Sequence, residues 1–87
     1  MLLFSLDQLT TEQQAMDVAE RLVDEAIEAS TASRNKRSKI RTVEAKIKRV
    51  QKKCVVMQWI KPIEKLKRSF NMLEEMRGEL DVQMWGI

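Results

Sequence analysis

The side chains that could do chemistry in this sequence are one cysteine, a row of carboxylates and a run of bases. Cys54 is the only cysteine, and histidine is absent. Without histidine a chain lacks the usual general base at neutral pH and the commonest metal ligand. A zinc site takes four ligands, and the usual cysteine and histidine set is missing. Cys54 could act as a nucleophile only as a thiolate. It falls in an apolar stripe, where a cysteine is far more often a small filler. No glycine-rich phosphate loop occurs. Neither catalysis, nor a cofactor, nor a small-molecule substrate is expected.

Asp17, Glu20, Asp24 and Glu28 are spaced 3, 4 and 4, which places them on one face of a helix. Carboxylates inside a bundle can hold a pair of metals, but that pattern adds histidines and buried positions. These four lie opposite the apolar side, so they form a solvated face or pair with bases elsewhere. Arg34, Lys36, Arg37, Lys39 and Arg41 put five bases in eight residues, and Lys46, Lys48, Arg49, Lys52 and Lys53 extend the run. Bases so dense suit phosphate contacts with DNA or RNA, which would weaken steeply with salt. Against that reading, no aromatic residue lies between Phe4 and Trp59 to stack on bases. Charge is also segregated along the chain. Residues 1–30 carry seven acids and one base, whereas residues 31–53 carry ten bases and one acid. An antiparallel pairing of these segments would neutralise much of the basic run. Each exposed ion pair stabilises by only about 0–1 kcal/mol, but the arrangement would select orientation and partner.

The elements that carry these groups should all be helices. There are only two glycines and one proline, too few for a fold of strands and tight turns. Thr11 with Gln14, or equally Thr10 with Gln13, fits a capping box at the start of a first helix. Ala15, Ala19, Leu22, Val23 and Ala26 then form one apolar face. Thr31-Ala32-Ser33-Arg34-Asn35 reads as a loop, because its hydroxyl and amide side chains compete for backbone hydrogen bonds. In the second helix Ile40, Val43, Ile47, Val50, Cys54 and Met57 step 3, 4, 3, 4, 3, a heptad seam for helix pairing.

Past this seam the apolar stripe changes side. Ile63, Leu66, Phe70 and Leu73 step 3, 4, 3 on a face roughly 150–170° from the seam, at about 100° per residue. Pro62 sits at the changeover. Two architectures follow. If the chain reverses near residues 58–61, Pro62 is the first residue of a third helix, where it is well tolerated. The fold is then an all-α three-helix bundle with helices at 10–30, 36–60 and 62–78. If the helix only kinks, the fold is a helical hairpin with a long second helix bent at Pro62. The bundle is the expected fold, with residues 1–87 as one helical domain. Residues 1–9 form an apolar lead-in that lays Leu2, Phe4, Leu6 and Leu9 on the helices, and residues 79–87 form an apolar tail.

So short a chain hides little apolar surface by itself. The seam and the later residues Trp59, Ile63, Leu66, Phe70, Leu73, Met76 and Trp85 exceed what it should bury, which makes the later set a docking face. Asp at Phe70 or Leu73 should then disrupt assembly and leave the chain helical. The expected role is a non-enzymatic protein–protein interaction module, either a homo-oligomer or a small subunit or regulator of a larger assembly. The alternative is a small basic nucleic-acid-binding protein using residues 34–53. The first residues meet Asp7 at once and lack a basic start, unlike a signal peptide. No apolar run approaches the roughly 20 residues of a membrane span. A soluble, cytoplasmic protein is expected.

Overall fold

Three helices and one short turn make up the described residues. The computed structural model describes residues 6–85, with side chains as far as Val82. A single 3₁₀ turn, Leu6–Gln8, leads into α1 (Glu12–Thr31), α2 (Lys36–Met57) and α3 (Ile60–Trp85). Among the described residues there is no strand. Each helix packs on both of the others, giving a three-helix bundle of 47 × 26 × 16 Å.

Thr11 decides where α1 begins. Its hydroxyl accepts from the Gln14 backbone N–H at 3.2 Å. The Gln14 side-chain oxygen accepts in return from the N–H of Thr11 at 3.1 Å and of Thr10 at 2.8 Å. This reciprocal box satisfies donors that have no partner within the helix. At the other end Ser30 and Thr31 donate their hydroxyls to the Ile27 carbonyl at 2.7 and 3.2 Å. Four of the five buried residues of α1 are alanines: Ala15, Ala19, Ala26 and Ala29, with Leu22 the fifth. Small residues there let α2 and α3 approach the α1 backbone closely.

The chain reverses at Gln58 and Trp59, not by a kink at Pro62. Gln58 adopts the left-handed conformation with φ 62°. The Trp59 N–H donates to the Cys54 carbonyl at 2.9 Å and the Gln58 N–H to the Val55 carbonyl at 3.2 Å. These two bonds form the Schellman closure that usually requires glycine. α2 therefore stops at Met57, three residues before the expected 60. α3 starts at Ile60, two residues before the expected 62. Pro62 occupies the third helical position, where a backbone N–H would have no acceptor and the carbonyl its ring could strike lies outside the helix.

α3 also runs past Gly78, where it was expected to end. One glycine costs a helix about 1 kcal/mol, and contacts beyond it outweigh that. Leu80 packs on the core, and Asp81 pairs with Arg37 at 2.8 Å. The expected placement of Leu2 and Phe4 lies outside the described residues, as do Gly86 and Ile87.

The reversal explains the change of apolar face. Two stripes that would point apart on one straight helix are folded face to face. Ile40, Val43, Ile47, Val50 and Cys54 from α2 meet Leu66 and Leu73 from α3 in one core with the α1 alanines, Leu22 and Leu9. Leu6, Trp59, Ile63, Phe70, Met76 and Leu80 cover its edges.

Candidate protein-interaction surface

The seam of α2 is spent inside the molecule. Ile40, Ile47, Val50 and Cys54 are wholly buried and Val43 nearly so. Met57, expected as the last seam residue, is instead 43% exposed. The left-handed turn begins directly after it, so the buried stripe ends one step before the helix does.

The expected docking face on α3 also needs correction. Leu66 and Leu73 are wholly buried, and Trp59, Ile63, Phe70 and Met76 are half-buried against the core. A partner cannot touch Leu66 or Leu73 without unfolding the bundle. Both large stripes fit inside because α1 turns mainly alanines toward them. The Trp85 side chain lies outside the described residues.

Among the described residues, four of the seven exposed large apolar side chains fall at the corner between α2 and α3. Val55, Val56 and Ile60 are 59%, 72% and 64% exposed, and Met57 lies beside them. Periodicity accounts for the exposure. Cys54 points into the core, so Val55 and Val56, turned by about 100° and 200°, cannot. Trp59, at the reversal itself, anchors the corner from within. Lys52 and Lys53 stand one helical turn before the valines, and Lys61 follows Ile60. The corner is thus an apolar tip with a basic collar. Ile27, Met72 and Val82 are also exposed but stand on other parts of the surface. The sequence of residues 54–60 is apolar nearly all round, and the turn decides which side stays exposed.

The acidic helix does not cover the basic one. Between α1 and α2, Lys46 pairs with Glu25 at 2.9 Å. Asp17, Glu20 and Asp24 lie on the opposite side of α1 from the buried alanines and are not buried. The five bases expected to meet phosphate are not equivalent. Arg34, Lys39 and Arg41 are exposed and Lys36 is half-buried. Arg37 is tied to Asp81 at 2.8 Å and so is engaged within the bundle.

Cys54 is buried, and burial pushes its thiol above the ordinary value of 9.0, with the negative charge of Glu12 adding to the effect. A thiol held neutral is a poor nucleophile. Among the described residues no group of three His, Cys, Asp or Glu side chains is placed to hold a metal ion. No helix described is long and apolar enough to cross a membrane. No protein-family model, curated protein or solved structure matches this chain.

Proposed function

We propose that this protein is a non-enzymatic interaction module that docks another protein chain on the corner between α2 and α3. The observation that carries the reading is the exposure of Val55, Val56, Met57 and Ile60 around one reversal of the chain, while most other large apolar side chains of the described residues are inside. A contiguous apolar patch rimmed by polar residues is characteristic of interaction sites. Lys52, Lys53 and Lys61 select a partner whose apolar contact residues are bordered by carboxylates. The module is a homo-oligomer or a small subunit or regulator of a larger assembly, working in the cytoplasm. Its heptad seam holds the bundle together, and the partner meets the corner.

Photo-crosslinking from the corner tests this. A benzophenone side chain replaces Val56 in one variant and Glu20, on the far face, in another. Irradiation in the parent cell should give discrete protein adducts at position 56 that vanish when Ile60→Asp is added. Light scattering of the purified chain then separates self-association from a foreign partner. Position 56 yielding no more adduct than position 20 would remove the basis of the reading.

A further inference from the structure

We infer that the outward face of α2 is a second surface, which lies along a groove of duplex DNA. Ser38, Arg41, Thr42, Ala45, Lys48, Arg49 and Lys52 are all exposed and recur at intervals of three and four, so they line one side of the helix. Short residues (Ser38, Thr42 and Ala45) occupy its centre. Arg41 and Lys48 flank it toward α3, and Lys53 flanks it toward α1. The only carboxylate of α2, Glu44, is turned inward and 7% exposed. It is held by Arg77 at 3.0 Å. Among the described residues no ion pair engages Arg41, Arg49 or Lys52. Two acids line the cleft beside Arg41 and Lys48: Glu44, which Arg77 holds, and Glu74, which is exposed. The row of carboxylates on α1 faces elsewhere.

The chemistry of this face discriminates among partners. From Ser38 to Lys52 its only apolar residue is Ala45, and Val56 continues it only at the last turn, so along most of its length it offers no apolar core of the kind protein interfaces use. A second copy presenting its acidic α1 would gain only exposed ion pairs, each of small worth. A duplex repays charge alone, because each neutralised phosphate releases a counterion. The B-form major groove, about 12 Å wide, admits a helix, and the short central residues let this one approach closely. The deep, narrow major groove of duplex RNA does not. Single strands are disfavoured, since the one aromatic residue beside the face, Phe70, is half-buried and has its ring under Lys48 at 5.6 Å.

The test is fluorescence anisotropy of a labelled 20-base-pair DNA duplex titrated with the full chain from 50 to 200 mM KCl. Four contacts, from Arg41, Lys48, Arg49 and Lys52, predict a slope of log affinity against log salt of about −3.6, a loss of about 150-fold over that range. Arg41→Gln with Arg49→Gln should weaken binding at least tenfold at 100 mM and reduce the slope by about 1.8. Lys65→Gln removes a charge from another face and should change affinity less than twofold. The inference is overturned if no binding occurs at 50 mM, or if Lys65→Gln costs as much per charge as the α2 changes. It is equally overturned if duplex RNA, single-stranded DNA or polyglutamate binds as tightly, or if light scattering shows the chain pairing with itself in place of the duplex.

Discussion

Arg77 Nε lies 3.0 Å from Glu44 Oε1, and that pair joins the middle of α2 to the middle of α3. It also withdraws the sole carboxylate of α2 from the solvent, leaving the outward face of that helix basic. One interaction thus sets helix register and surface charge together. The Glu44 side chain is 9% exposed and that of Arg77 is 32% exposed, so the two partners should respond differently to mutation. Arg77→Met leaves a buried carboxylate without its cation and should destabilise by about 1–3 kcal/mol, below the full cost of breaking a buried pair because Arg77 is partly wet. Glu44→Leu together with Arg77→Met should recover most of that loss. Urea denaturation of the two variants decides the matter; equal losses would mean that the pair is not coupled.

Leu73 and Val56 are both aliphatic, but the fold gives them opposite roles. Leu73→Ala should cost about 2–5 kcal/mol by opening a cavity, and Leu73→Asp should unfold the chain. That reverses the sequence-based expectation that Asp at position 73 would spare the helices. Val56→Ala should stay within about 0.5 kcal/mol. Circular dichroism melts of these variants separate core from corner. A folded, stable Leu73→Asp protein would contradict the packing described.

Two glycine exchanges in opposite senses should both stabilise. A Cβ at Gly78 would meet nothing within 4 Å, and the residue sits inside α3. Gly78→Ala should add about 0.5–1 kcal/mol. Gln58 holds φ 62°, a conformation that costs ordinary residues about 1–2 kcal/mol. Gln58→Gly should therefore add about 0.5–1 kcal/mol, after allowing for the greater backbone freedom glycine loses. Thermal melts should rise for each, and a fall for Gln58→Gly would show that its side chain contributes more than its backbone costs.

The raised pKa of Cys54 makes stability depend on pH in one direction. The folded chain keeps the thiol proton to higher pH than the unfolded chain does. Its contribution is therefore intact below about 9.0, the ordinary value, and is lost as pH rises from there through the folded value. Urea midpoints of wild type and Cys54→Ala, compared at pH 7.5 and 10, isolate this group from the rest of the chain. Wild type should lose more stability than the variant over that interval, and parallel losses would deny the effect.

Much of the fold was legible in the residues themselves. The Thr11–Gln14 box, the α1 alanine face and the Ile40 to Cys54 stripe are local periodic signals, and the structure uses each of them. The end of α2 was not legible, because Gln58 is not a residue that announces a left-handed turn. Nor was the end of α3, where Leu80 and Asp81 carry the helix past Gly78 through contacts with distant residues. The candidate surface was legible only as an apolar segment at 54–60.

The sequence by itself determined that this chain is helical, which residues share a face, and that its charges fall in blocks, because these depend on neighbours three and four positions away. Tertiary structure alone decided which apolar side chains would stay outside and which bases would stay free. Both depend on the direction in which α3 returns across α1 and α2. That direction is set by a two-residue reversal and by packing between residues far apart in the chain.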